Sequence, residues 1–394
     1  MRRSLFTSES VTEGHPDKVA DRISDAVLDA MIATDPQSRV ACEALVTTGV
    51  AIVAGEITSR TEADLELVAR DSIRASGYDD PALGYSADEV EVEILVHSQS
   101  RDIADGVALS IEARTGSTDP LDALGAGDQG IMFGYAVDET PELMPLPIQL
   151  AHQLAYQLAQ VRKDGTLDYL RPDGKTQVTV EYENGRARRV ARILLSVHHD
   201  PSASTSGLPG DLMVHVVKPV AEPLLDPRTE FVVNPSGRFE IGGPSADTGL
   251  TGRKVVMDTY GGTARHGGGA FSGKDPTKVD RSASYAARHV AKCVVAAGLA
   301  HRCEFQVSYA IGRARPFSVH LETFGTEQVD PGRLESLLME FFDLRPAAII
   351  DWLDLRRPIY VSTANYGHFG RNEPSFTWES TARASDLARA AAAL

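Results

Sequence analysis

The order in which apolar periodicities follow one another constrains this chain more than any single motif. Ser4–Val11 reads as a short strand, and Lys18–Ala33, opened by Pro16, carries Val19, Ile23, Ala26, Val27, Ala30 and Met31 at helical spacing. Val40–Thr47 and Val50–Thr58 alternate with a two-residue period across Thr48-Gly49, the pattern of a hairpin. A helix over Glu62–Ser76 ends at Gly77, and residues 89–96 alternate again. This is the β-α-β-β-α-β order of a split βαβ unit. The middle of the chain repeats it with strand Ile131–Val137, helix Pro147–Arg162, strands Gln177–Tyr182 and Val190–Val197, helix Leu212–Val220 and strand Phe231–Asn234. The last third does so with strand Val255–Tyr260, helix Ser282–Ala297, strands Cys303–Ala310 and Phe317–Thr323, helix Gly332–Phe342 and strand Ile359–Ser362, before a short Ala-rich helix over Ala382–Leu394. No residue-level repeat accompanies the pattern, so the expectation of an α+β fold of three similar units rests on element order alone.

Length agrees with this division, since 394 residues exceed what one core usually holds. A formal net charge of -16 argues against a nucleic-acid surface, which needs clustered Lys/Arg on a basic face. The N-terminal MRRSLFTSES lacks an apolar leader core, and no apolar run approaches the ~18 residues of a membrane span, so a soluble cytoplasmic chain is expected. Cys42, Cys293 and Cys303 form no C-x-x-C pair and read as buried, reduced thiols.

Local charge runs opposite to global charge in Leu250–Arg281. Arg253, Lys254, Arg265, Lys274, Lys278 and Arg281 are interleaved there with Gly261, Gly262, Gly267, Gly268, Gly269 and Gly273. Glycine lets backbone N–H groups approach a ligand, and bare N–H groups beside cations suit anions. Asp258, Asp275 and Asp280 lie among these cations, and one or two carboxylates plus substrate phosphates are how proteins hold Mg²⁺, so nucleotide with Mg²⁺ is the working expectation. A solvated basic loop with turn glycines is the bland alternative. Gly268–Lys274 also resembles a P-loop, but Asp275-Pro276 stands where Ser or Thr should open a helix. One long stretch, Ser98–Gly127, is mostly polar or small and reads as a lid, with a plain linker as the alternative.

Three segments, ESVTEGHPDK (9–18), GAGDQGIMFGY (125–135) and GGGAFSGKD (267–275), closely resemble the methionine adenosyltransferase, or S-adenosylmethionine synthetase, family. The likeness continues in register through RPDGKTQV (171–178), GRFEIGGP (237–244), DTGLTGRK (247–254) and YGHFGR (366–371). It implies attack of methionine sulfur on C5′ of ATP, with the released triphosphate cleaved to pyrophosphate and phosphate. It implies three α+β units about a pseudo-threefold axis: residues 1–105, a mobile loop 106–124, residues 125–238 and residues 239–394. A homodimer with shared active sites, often paired into a tetramer, is implied as well.

Carried onto this sequence, the resemblance puts His15 near the C5′ oxygen, and Asp17 and Asp280 on two Mg²⁺ ions. Taken singly, His15 reads as a helix cap and Asp17 as an ordinary first-turn acid. Lys175, Arg253, Lys254 and Lys274 would contact phosphates, with Lys278 beside them near methionine. Phe239 would stack on adenine, with Arg238, Asp173 and the backbone of Ala270 also facing ATP. Glu56 and Gln99 would bind the polar end of methionine, Asp247 the ribose or the amino group, and Asp128 would lie beside the sulfonium; Glu43 would hold K⁺. One departure is Arg101 in Gln99-Ser100-Arg101-Asp102-Ile103, where the family usually has proline, which would stiffen the loop. Two rival classes are a P-loop ATPase or kinase, disfavoured by Asp275-Pro276, and a non-catalytic nucleotide-binding subunit.

Overall fold

The computed structural model describes residues 3–99 and 109–392, so residues 100–108 of the expected lid, Arg101 among them, lie outside the described residues. The long helix α1 (Pro16–Thr34) follows strand β1 (Arg3–Val11), and the hairpin β2 (Arg39–Thr47) and β3 (Val50–Thr58) turns at Gly49, whose φ of 75° glycine adopts without strain. Helix α2 (Leu65–Ala75) and strand β4 (Glu91–His97) complete the first third. In the middle come β5 (Gly130–Val137), α3 (Leu146–Lys163), the long hairpin β6 (Leu170–Glu183) and β7 (Arg186–His199), and β8 (Glu230–Val233). The last third holds the two-residue β9 (Gly249–Leu250), α4 (Val279–Ala296), β10 (Arg302–Tyr309), β11 (Ser318–Glu322) and α5 (Pro331–Phe341).

Among the described residues the strands form three sheets, ordered β4-β3-β2-β9, β1-β6-β7-β8 and β11-β10-β5. The first strand of each third therefore leaves its own third. β1 pairs antiparallel with β6 along its whole length, from Arg3 opposite Glu183 to Val11 opposite Lys175. β5 pairs with β10, and β9 with β2 at Leu45 and Val46. The exchange ties the thirds together through backbone hydrogen bonds, and the sheets cross the sequence boundaries that element order suggests.

Two strands expected from the sequence are absent, each for a tertiary reason. Val255–Asp258 is a short helix, because Asp258 has to turn inward to reach the buried ammonium of Lys18. Val361–Thr363 is a 3-10 turn. Asp29 accepts the N–H groups of both Tyr360 (2.9 Å) and Val361 (2.8 Å), and consecutive N–H groups of a strand point to opposite edges and cannot share one acceptor. The described part of the expected lid bonds to the last third. Ile111–Arg114 is a helical turn, the Ile111 N–H bonds to the Gly312 carbonyl at 2.8 Å, and Glu112 accepts the Ala314 N–H at 2.9 Å. Arg345 holds Asp119 and Asp122 at 2.7 and 2.8 Å, so 109–127 is tied to the last third.

What holds the first and last thirds together is a column of acids on α1, three of them buried. Asp17, Asp21, Asp25 and Asp29 recur every fourth residue and so share one face. Asp17 accepts the Leu250 N–H at 3.1 Å, Asp21 that of Gly252 at 2.9 Å, and Asp25 that of Gly273 at 2.8 Å; Asp29 takes the pair described above. Asp25 also forms a two-pronged pair with the buried Arg281, at 2.7 and 3.0 Å.

Burial raises the Asp29 carboxyl from 3.8 to about 7, against the lowering effect of its two N–H donors. Between those values the folded chain keeps a proton that the unfolded chain has released, so the stability from this group is full below the lower value and is lost as pH rises through the upper one. Asparagine cannot ionise. Asp29→Asn is therefore expected to gain melting temperature relative to the unmodified chain on going from about pH 5 to about pH 8, followed by thermal unfolding. A difference between the two proteins that stays constant with pH contradicts this.

Candidate active site

The turn that opens α1 is pressed against β6 with no slack. The Thr12 hydroxyl donates to the Pro172 carbonyl at 2.6 Å, and a Cβ on Gly14 would lie 2.4 Å from Pro172, so only glycine passes there. His15 caps the helix, its Nδ1 accepting the Asp17 N–H at 3.2 Å, and Pro16 fills the first turn, where its missing N–H costs nothing. That bond leaves the proton on Nε2. Burial first, then the charges of Lys254 and Lys175, hold the imidazole down to about 3, so His15 is a neutral N–H donor. The cap is met through Nδ1, which leaves the Nε2 N–H of the same ring as a donor.

Asp17 gathers the cations of the next segment. Its Oδ2 meets Lys254 Nζ at 2.5 Å and its Oδ1 lies 3.5 Å from Arg253. Burial pushes the Asp17 carboxyl up, but the hydrogen bond and charge of Lys254, with the Leu250 N–H, bring it below its ordinary value. Gly249 permits the approach, since a Cβ there would stand 2.1 Å from the Pro16 backbone. Lys175, opposite Val11, is exposed beside them. Asp173 accepts the Gly243 N–H at 2.9 Å with one oxygen and has its other oxygen buried without a partner; burial lifts it to about 6. Phe239 stacks on His198, with ring centres 5.3 Å apart, while Arg238 and Asp247 are exposed nearby in sequence, Asp247 accepting the Thr248 N–H. His15, Asp17, Lys175, Asp173, Arg253 and Lys254 thus form one group around the start of α1.

A second group forms at the start of α4. Lys274 Nζ meets Asp280 Oδ2 at 2.6 Å, and a Cβ on Gly269 would lie 2.4 Å from the other Asp280 oxygen. Gly130 also borders Asp280, which brings in the exposed Asp128 two residues earlier. Lys274 bridges to Ala41 of β2, whose partner across the hairpin is Glu56. Residues directly opposite share a face, so Lys274, Glu56 and Glu43 lie on the outer face of that sheet. The Gln99 N–H donates to the Thr58 hydroxyl at 3.3 Å at the end of β4. Lys278 caps toward Asp275 at 2.5 Å. Ala270 lies between the groups, 2.4 Å from where a Cβ on Gly252 would stand.

Some sequence expectations are corrected here. Asp258 and Asp275 are structural acids: Asp258 pairs with buried Lys18, and Asp275 accepts the Val40 N–H at 2.7 Å and the Thr277 N–H at 2.9 Å. The P-loop alternative fails because helix α4 begins only at Val279, after Asp275 has closed its own turn. Asp17 and Asp280, each expected to carry one Mg²⁺, lie in separate groups within this chain, a point that the sequence left open. Arg281, next to Asp280, binds Asp25, which stands about 12 Å along the α1 axis from Asp17. Among the described residues no hydrogen bond or ion pair joins a side chain of the first group to one of the second. Sequence reading missed the buried Lys18, Asp21 and Asp25, although aspartates spaced by four in DKVADRISDAVLD were the signal.

Among the described residues no cluster of three His, Cys, Asp or Glu side chains could by itself hold a metal ion. Each group instead offers one carboxylate already paired with a lysine, which fits an ion that arrives on a polyphosphate and takes one protein carboxylate.

Comparison with known proteins identifies relatives along the whole chain. Family models described as the N-terminal, central and C-terminal domains of S-adenosylmethionine synthetase match residues 3–101, 123–239 and 241–380. An S-adenosylmethionine synthase of Desulforudis audaxviator is 58% identical over 388 residues, covering 98% of both chains. Those of Salinispora tropica and a Nocardioides species are each 59% identical, over 399 and 397 residues, covering 100% of both chains.

Gly269 gives a direct test of the second group. In Gly269→Ala the new methyl displaces the Asp280 carboxylate, the end of a side chain rather than backbone, so activity is expected to fall at least about tenfold with melting temperature nearly unchanged. Unaltered turnover would mean that the position of Asp280 is immaterial.

Proposed function

The chain belongs to the S-adenosylmethionine synthetase family and is a methionine adenosyltransferase, and from that premise we propose how its residues divide the reaction. A thioether has no proton to lose, so attack of methionine sulfur on C5′ needs no general base. Its barrier lies in charge separation, with a positive sulfonium forming as the triphosphate becomes more negative. Preorganised donors and cations aimed at the leaving group address that barrier, and they act most strongly where water is excluded.

The observation that carries the reading is the group at the start of α1. There a neutral imidazole N–H, Lys254 and Arg253 stand around one carboxylate at a helix N-terminus, where backbone N–H groups and the helix dipole already favour anions. His15 Nε2 donates to the C5′ oxygen as its bond to carbon breaks. Lys254, Arg253 and Lys175 take the phosphates, and Phe239, backed by His198, receives the adenine face, with Arg238 and Asp173 alongside and the Ala270 backbone closing the near side. Lys274 extends the cationic track on the other group, where Asp128 faces the sulfonium, Glu56, Gln99 and Lys278 hold methionine, and Asp247 reaches the ribose or the amino group. The triphosphate stays bound between these cations until it is cleaved to pyrophosphate and phosphate.

Asp17 and Asp280 would each hold one Mg²⁺, and Glu43 a K⁺ ion; bound Mg²⁺ supplies charge neutralisation on the departing polyphosphate. The site is completed between two copies of the chain, with the α1 group of one facing the α4 group of the other. Two features support this: the separation of the groups within one chain, and the outer face of β4-β3-β2-β9. Around Glu43 and Glu56 that face carries Ala41, Leu45, Ile52, Ala54 and the half-exposed Leu95. The reading carries a cytoplasmic location, and among the described residues no helix is long and apolar enough to cross a membrane.

Incubation of the full chain with ATP, methionine, Mg²⁺ and K⁺, with products identified by mass, is expected to yield S-adenosylmethionine, pyrophosphate and phosphate. ADP formation independent of methionine would overturn the reading. Lys274→Ala is expected to lower kcat and kcat/KM together by roughly two orders of magnitude, since its contact strengthens as leaving-group charge grows. A raised KM for ATP with unchanged kcat would limit Lys274 to ground-state binding.

A further inference from the structure

Lys18 is a fully buried cation next to Asp17, and no exposed surface lets it touch a substrate. Its ammonium sits between two carboxylates, Asp21 Oδ2 at 2.9 Å on its own helix and Asp258 Oδ1 across the contact to the last third. Asp21 uses its other oxygen for the Gly252 N–H at 2.9 Å. Asp258 is the last residue of the helical turn that Lys254 opens, and its N–H bonds back to the Lys254 carbonyl at 2.8 Å. The Asp258 carbonyl then accepts the His368 N–H at 2.9 Å. Arg253 and Lys254 are therefore strung between two anchors on α1, Gly252 on Asp21 and Asp258 on Lys18. Gly252, at φ 80° and with Ala270 filling the place of a Cβ, cannot shift to absorb slack.

We propose that the Lys18–Asp21–Asp258 cluster is a positioning device that fixes where Lys254, whose carbonyl Asp258 holds, stands relative to Asp17, and that turnover depends on it although none of the three touches substrate. The proposal rests on the phosphate role given to Lys254 above. One helix turn presents the carboxylate at Asp17 and, a residue later, the ammonium that locks the cation-bearing segment in register with it. Misplacement of a charged contact by about 1 Å costs on the order of a hundredfold in rate, so a rigid link of this kind has a measurable effect.

Removing Lys18 would strand two buried carboxylates and unfold the region, so the test uses the acids. Asp258→Asn keeps shape and a hydrogen-bond acceptor while loosening the link. The experiment is a double-mutant cycle of Asp258→Asn with Lys254→Ala on the full chain, reading kcat with ATP and methionine and melting temperature alongside. Asp258→Asn alone is expected to lower kcat about 10- to 100-fold. In the Lys254→Ala background the same change is expected to alter kcat less than about twofold, because the group it positions is gone. Effects that multiply overturn the proposal and leave the role of Lys254 intact. Lys254→Ala with unchanged kcat removes that role, and the proposal falls with it. If Asp258→Asn does not fold, Asp21→Asn in the same cycle decides by the same outcomes.

Discussion

The fold and the candidate site both depend on carboxylates of α1 being satisfied by backbone N–H groups that arrive from the far end of the sequence. Acids spaced by four along a helix repel one another and weaken it when isolated. Asp17, Asp21 and Asp25 are buried, Asp29 partly so, and all would be costlier still without partners. Leu250, Gly252, Gly273, Tyr360 and Val361 supply the donors, and Lys18, Lys254 and Arg281 the countercharge. Helix and segments therefore need each other. One consequence is that Arg253, Lys254 and Lys274, which are proposed for phosphate binding and lie outside the strands and long helices, follow backbone groups anchored on α1.

That dependence also explains what was legible in the sequence. α1, the β2-β3 hairpin, α3 and α4 follow from local periodicity and turn chemistry, and the structure places each within a few residues of the pattern. The exchange of β1, β5 and β9 between sheets was not legible, because a strand carries no local mark of its partner. Val255–Tyr260 and Ile359–Ser362 look like strands by composition and are turns in fact, since Lys18 and Asp29 demand a turn there. Family resemblance named the candidate site residues; it did not say that within one chain they fall into two groups, one at the start of α1 and one at the start of α4. His15 shows the limit most clearly, for the cap read from the sequence and the donor implied by the resemblance are one residue.

The division into two groups gives the chemistry its geometry. Asp17 and Asp280 are each answered by a lysine of their own group, a pairing that on the proposed reading a substrate bearing metal ions displaces. Glycines at 14, 249, 252 and 269 lie where backbone or a site side chain passes too close for a Cβ, so tight packing fixes the distances on which electrostatic stabilisation depends.

The central claim is that a complete site takes the α1 group from one copy and the α4 group from another, and subunit mixing tests it most directly. Chains carrying Asp17→Asn and chains carrying Lys274→Ala, each nearly inactive alone, are unfolded together, refolded and assayed for S-adenosylmethionine formation. In a mixed dimer a shared arrangement leaves one site with both defects and the other with none, so activity is expected to reappear at up to half the unmodified level per mixed dimer. Activity that stays at the level of the separate variants, with mixed dimers demonstrably present, would mean that each site is built within a single chain.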